Sequence, residues 1–81
     1  VNAVKQQIVS GIKEINPELT LHDFRMTPFA NKQTNLIFDV VIPQNLKMSV
    51  EELDTKIKAL AKEINPTFCC VITFDQDFSG R

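Results

Sequence analysis

The sequence predicts a two-layer α+β domain whose elements follow the order α-β-β-α-β. Two stretches carry apolar residues at helical spacing, and three others form apolar runs at the length and spacing of strands. An internal repeat supports this order, because Lys13–Pro17 recurs letter for letter as Lys62–Pro66, 49 residues later. The length of 81 residues, with 43% hydrophobic and 23% charged content, indicates one small globular domain. We assign residues 1–78 to this domain and 79–81 to a tail.

Each copy of the repeat should end a helix, because the residue before proline is pushed out of the helical region. The second helix begins at a capping box, with Ser49 as the cap and Glu52 three positions later. The first helix has no cap before Val1, so we expect the chain to be part of a longer protein, with a processed N-terminus as the alternative. The two apolar stripes are Val1, Val4, Ile8, Ile12 and Ile15, and Val50, Leu53, Ile57, Ala61 and Ile64.

Three strands are predicted between and after the helices. Leu19–Met26 and Asn35–Ile42 flank a polar loop and should form an antiparallel hairpin, and Thr67–Asp75 follows the second helix. A right-handed crossover should place the last strand parallel to the middle one. Both helices then cover one face of a three-stranded mixed sheet, in an open ferredoxin-like arrangement.

The opposite face of this sheet is predicted to remain uncovered. Leu36, Phe38, Val40 and Ile42 form the core-facing set of the middle strand. The outward set includes three aliphatic side chains, which we interpret as a self-association surface because a small domain has a thin core. Scattered exposed aliphatic residues of no special role are the alternative. The candidate interface residues are Ile37, Val41 and Val71.

Composition excludes several classes of function. Nine basic against ten acidic residues give a net charge of −1, which argues against a nucleic-acid partner. The chain has neither an apolar run of membrane-spanning length nor a secretory signal pattern at its start. The two cysteines, Cys69 and Cys70, are adjacent and would point to opposite faces of a strand, so no disulfide framework is predicted. We therefore expect a cytosolic setting.

No constellation of catalytic residues is present, and we predict that the chain is not an enzyme. Its single histidine is His22, and its two glycines, Gly11 and Gly80, cannot build a phosphate-binding loop. His22, Asp39 and Asp75 lie on three predicted neighbouring strands and are candidate ligands for zinc or another divalent cation. A hydrogen-bonded surface pair of His22 with an aspartate is the alternative.

Several of these segments resemble the cytoplasmic C-terminal domain of cation diffusion facilitator transporters. The resemblance rests on four stretches in one order: the run from His22 to Arg25, the run from Thr34 to Pro43, the Ser-x-x-Glu helix start, and the run from Val71 to Asp75. It covers nearly the whole chain and implies a homodimeric regulatory domain attached to a membrane-embedded exporter of zinc or related cations. It looks closest to an additional C-terminal segment of some bacterial members.

The sequence departs from the family pattern at the metal-binding histidines. His22 matches the first, but Asp39 and Phe74 replace two others, and Glu51 or Glu52 replaces the one at the helix start. The resemblance therefore implies dimerisation and regulation in the cytoplasm of a bacterial cell, and it leaves metal binding open. The alternative function is a free-standing ferredoxin-like module that binds a small effector or a protein.

Overall fold

A computed structural model describes residues 2–28 and 30–76 of the chain. The order of elements is the predicted one: α1 (Asn2–Ile15), β1 (Thr20–Pro28), a short 3-10 turn (Ala30–Lys32), β2 (Thr34–Ile42), α2 (Val50–Ile64) and β3 (Phe68–Gln76). The three strands begin and end within two residues of the predicted bounds. Val1, the predicted domain end at Phe78 and the tail at 79–81 lie outside the described residues.

The sheet has the predicted mixed topology, with β2 in the centre. β1 pairs with β2 in the antiparallel sense, and β3 pairs with β2 in the parallel sense. Contacts of α1 with β1 and of α2 with β3 place the two helices on one face of the sheet. The predicted α+β ferredoxin-like fold is therefore confirmed.

The core lies between the helices and the inward face of the sheet. Leu36, Phe38, Val40 and Ile42 are buried, as the alternation along β2 predicts. They pack against the buried residues of both helices, which are Ile8, Ile12, Leu53, Ile57 and Ala61.

One position of the predicted apolar stripes is wrong. Val50 is 40% exposed because it is the first residue of α2, where the helix has only just begun to approach the sheet. The cap that precedes it is as predicted: the Ser49 hydroxyl accepts the Glu52 backbone N–H at 3.0 Å.

The repeat forms the same helix-to-strand turn twice. Asn16 and Asn65 each donate a backbone N–H to the carbonyl four residues back at 3.0 Å, which completes the last helical turn. Each asparagine side chain then accepts the backbone N–H two residues ahead at 2.9 Å, from Glu18 and from Thr67. This is an Asx turn, which offers the chain a hydrogen bond that competes with further helix. The repeated sequence thus sets both helix ends and both strand starts.

The two helices contact each other closely at Gly11. A Cβ atom built there would clash with the side chain of Leu60, including a contact of 2.6 Å to Cδ1. The absence of a side chain at Gly11 therefore lets α1 approach α2.

Candidate functional site

The uncovered side of the sheet, which we call the open face, is the surface that the sequence singled out. It comprises the outward residues of the three strands, and strand register arranges them in four rows across β1, β2 and β3. The rows are Thr27, Asn35 and Cys69; Arg25, Ile37 and Val71; His22, Asp39 and Thr73; and Thr20, Val41 and Asp75. The face therefore mixes aliphatic, hydroxyl and charged side chains.

The three predicted interface residues all lie on the open face. Ile37 and Val71 are register partners on neighbouring strands, and Val71 is 52% exposed. Val41 lies four residues further along β2 than Ile37, about 13 Å away, beyond the row that contains Asp39. The apolar surface is thus a pair of adjacent side chains plus a third that is separated from them by a carboxylate.

The three predicted metal ligands are only partly brought together. His22 and Asp39 are cross-strand partners, but the β3 partner of Asp39 is Thr73, and Asp75 pairs instead with Val41. Across residues 2–28 and 30–76, no three His, Cys, Asp or Glu side chains converge in a group that could hold a metal ion. One imidazole and one carboxylate fall short of the four ligands of a structural zinc site. The described residues therefore do not fit a zinc centre on this face.

A β-bulge in β1 determines which residues reach the open face, and the sequence interpretation missed it. The register shifts between His22 and Arg25, and Asp23 adopts a left-handed conformation with φ of 57°. Aspartate tolerates this conformation better than most residues. Because the bulge inserts one extra residue, His22 and Arg25 both lie on the open face although they are three positions apart.

The bulge also returns Phe24 to the core. Its ring stacks on that of Phe38, with ring centroids 5.9 Å apart. The sequence contains a signal for this feature: the apolar residues of β1 change from odd positions, Leu19 and Leu21, to even positions, Phe24 and Met26. A one-residue change in the alternation is what a bulge produces.

The adjacent cysteines occupy two environments, as their alternation predicts. Both are free and partly buried, with Cys69 in the first row of the open face and Cys70 against the core. Burial raises the pKa of the Cys70 thiol to about 11, and the nearby Lys58 ammonium offsets part of that rise. Cys70 is therefore a neutral packing residue at physiological pH.

A groove of about 520 Å³ lies between the two helices. Its apolar lining includes Ile15, Met48 and Leu60, and its ionisable lining residues are Glu14, Lys56 and Glu63. Three exposed charged groups at the mouth of a shallow groove do not form an acid–base or nucleophile pair. The groove therefore offers mainly apolar packing surface.

Two solved structures share this fold. One is of CzrB, described as a zinc transporter, with a TM-score of 0.69 and 18% identity over 94% of this chain and 94% of that one. The other is the metal-bound C-terminal domain of the CzcD transporter from Thermotoga maritima, with a TM-score of 0.64 and 19% identity over 99% of this chain and 92% of that one. The chain has the α+β fold of these transporter proteins over nearly its whole length.

The sequence itself matches no protein-family model and no curated protein. In the part of the chain that the structure describes, neither helix is long and apolar enough to cross a membrane.

Proposed function

We propose that the chain is the cytoplasmic regulatory and dimerisation domain of a divalent-cation efflux transporter of the cation diffusion facilitator family. The observation that supports this most is the fold, which two transporter structures share over at least 94% of this chain. The resemblance at His22–Arg25 and along β2 points to the same family. In this proposal the domain is not catalytic, and zinc or a related cation is the cargo of the parent transporter.

The open face is the surface that we assign to dimerisation. Pairing two copies through this face would remove Ile37 and Val71 from water. It would also bring positive Arg25 of each copy toward the carboxylates of its partner, since Asp39 and Asp75 lie on the same face. The face is therefore self-complementary in both apolar surface and charge.

The size of the open face makes this pairing weak in an isolated domain. Nine-residue strands are about 30 Å long, and three of them at strand spacing give a surface of about 400 Å² per copy. The total buried area would be about 800 Å², below the range of stable complexes. Two copies held by a common membrane-embedded part gain an effective concentration of about millimolar, which makes even a weak contact form. A contact of this strength can respond to regulation.

Sedimentation of the 81-residue chain over about 10 to 1,000 µM tests the proposed interface. We expect reversible self-association that weakens about tenfold or more when Ile37→Asp places a carboxylate at the centre of the face. Val50→Asp is the matched control, since Val50 is exposed but belongs to α2 rather than to the open face. A chain that stays monomeric over the whole range, or an Ile37→Asp variant that associates like the wild type, would contradict this interface.

The role of His22 is tested by titration with ZnCl₂ in a calorimeter. Because the described residues supply two ligands at this position rather than four, we expect the same heat from the wild type and from His22→Ala. Heat that is present in the wild type and lost in His22→Ala would assign a metal site to His22.

The attachment to a membrane domain is tested by the coding sequence upstream of Val1. The proposal expects about six apolar segments there, each of about 20 residues. An upstream sequence without them would favour the free-standing module.

A further inference from the structure

The two edges of the sheet differ in how they are protected against pairing. β1 carries the bulge at Asp23, two charged side chains, Asp23 and Arg25, and Pro28 at its end. β3 runs in unbroken register with β2 from Phe68 to Gln76 and contains one charged residue, Asp75, with no proline, lysine or arginine. Bulges, charges and prolines are the devices that keep an edge strand from pairing with another strand. The described β3 has almost none of them.

Free main-chain hydrogen-bonding groups lie along the outer edge of β3. The carbonyl of Thr67 accepts the N–H of Thr34 at 3.1 Å, so the odd-numbered residues point their main-chain groups toward β2. Successive residues of a strand point these groups to opposite sides. The N–H and C=O groups of Cys70, Ile72 and Phe74 therefore point to the free edge, where the described chain has no further strand.

We infer that this edge pairs with the β3 strand of a second copy in the antiparallel sense, centred on Ile72. This interface goes beyond the proposed function and uses a different surface. In this register Ile72 pairs with the Ile72 of the other copy and Cys70 with its Phe74, forming about six main-chain hydrogen bonds. A register centred on Cys70 or Phe74 would leave one end of each strand unpaired, so Ile72 is the centre that uses the whole strand.

Charge and side-chain shape favour a second copy as the occupant of the edge. Antiparallel pairing around Ile72 places Asp75 of one copy opposite Cys69 of the other, so the two carboxylates are kept apart. That end of the strand is flanked by Lys58 and Lys62 of α2, which line a pocket of about 250 Å³ together with Phe68, Cys69 and Cys70. These lysines lie on the helix side of the sheet and Asp75 lies on the open face, so the pairing opposes no like charges across the edge. Val71 and Thr73 pair as β-branched neighbours, which is a favourable cross-strand combination.

The inferred pairing leaves the open face available. A two-fold axis between two antiparallel strands of one sheet runs perpendicular to that sheet, and it produces a continuous sheet of six strands. Face-to-face contact uses an axis parallel to the sheet. The two contacts can therefore be present together or separately, and they can be tested separately.

Amide hydrogen exchange by NMR tests the inference on the unmodified chain. We expect the amides of Cys70, Ile72 and Phe74 to slow by about tenfold or more as the protein concentration rises, because these amides point to the free edge and become hydrogen-bonded there. Val71 and Thr73, whose amides already bond to β2, are the internal controls. Exchange at Cys70, Ile72 and Phe74 that does not depend on concentration would overturn the inference. The same measurement on the Ile37→Asp variant distinguishes edge pairing from the open-face pairing of the proposed function. Loss of pairing through the open face should leave the edge amides protected.

Disulfide trapping tests the register. Two variants are prepared with Cys69→Ser and Cys70→Ser in both, one carrying Val71→Cys and the other Thr73→Cys. Opposed residues in an antiparallel pair bring Cα atoms to about 4.5–5.5 Å, which suits a disulfide. On mild oxidation with oxidised glutathione, the mixture should form a covalent heterodimer in preference to either homodimer. Equal yields of all three dimers, or no dimer in the mixture, would contradict pairing centred on Ile72. Trapping of Val71→Cys with itself would indicate contact through the open face instead.

Discussion

The two helix-to-strand units of the chain use the same turn but deliver different strands. In both, an asparagine ends the helix and accepts the N–H two residues ahead, and a lysine donates to the proline carbonyl four residues on at 3.2 Å. The unit α1–β1 leads into a bulged antiparallel edge, and the unit α2–β3 leads into a regular parallel one. Local sequence therefore fixes how a helix ends, whereas the character of the strand that follows depends on residues outside the repeat.

The largest expected effect comes from truncating corresponding core side chains in the two helix-to-strand units. Ile8 and Ile57 occupy corresponding positions of the two units, and both are fully buried in the same cluster. Each substitution to alanine should lower the free energy of unfolding by about 2–5 kcal/mol, through lost burial plus the cavity that remains. Urea unfolding measures both losses. A loss below about 1 kcal/mol at either position would show that its helix contributes little to the shared core.

A second test compares the bulged strand β1 with β3, whose register with β2 is unbroken. Asp23→Val places a β-branched residue in the left-handed conformation and should cost about 1–2 kcal/mol of stability. Asp23→Gly should cost little, since glycine adopts this conformation without strain. Thr73→Val, at an exposed position of the regular strand β3, is the matched control and should be nearly neutral. Equal effects of valine at the two positions would contradict the importance of the bulge.

A smaller difference is expected between the two turns themselves. Asn16→Ala removes one accepted hydrogen bond, and Asn65→Ala removes two, because the Thr67 hydroxyl also donates to the Asn65 side chain at 2.8 Å. At about 1 kcal/mol per hydrogen bond, the loss should be greater at Asn65. Thr67→Val in the Asn65→Ala background tests the origin of the difference, since it should add little once the acceptor is gone. A larger loss at Asn16 would be inconsistent with this account.

The smallest expected effect concerns Cys70, because the corresponding residue of the first unit, Leu21, does not titrate. The folded state holds its thiol proton more tightly than the unfolded state, since burial raises the pKa from 9.0 to about 11. The unfolded state therefore releases this proton first, and stability should fall as the pH rises through that window. Cys70→Ala should flatten this part of the curve of stability against pH. An unaltered slope in Cys70→Ala would assign the pH dependence to other groups.

The features of the fold that depend on local interactions of single residues can be predicted from the sequence. Ser49, the two Asn-Pro pairs and the alternation along β2 determine helix ends and the core face with little help from the rest of the chain. The candidate site depends instead on register, which is set by pairing between distant strands. The expectation that Asp75 would meet His22 and Asp39 required a register that β3 does not adopt. The bulge had a detectable signal in the shifted apolar alternation, but its position depends on the pairing of β1 with β2.

The repeated turn has a consequence for how such a domain can be assembled. The same five residues join a helix to a strand whether that strand will run with or against its neighbour, so the joint itself carries no information about strand direction. Direction is decided by the connection at the other end: a short turn for β1 and the α2 crossover for β3. Lys-Glu-Ile-Asn-Pro is therefore a transferable connector, which could be grafted between a helix and a strand of another protein without prescribing the topology of the sheet that receives it.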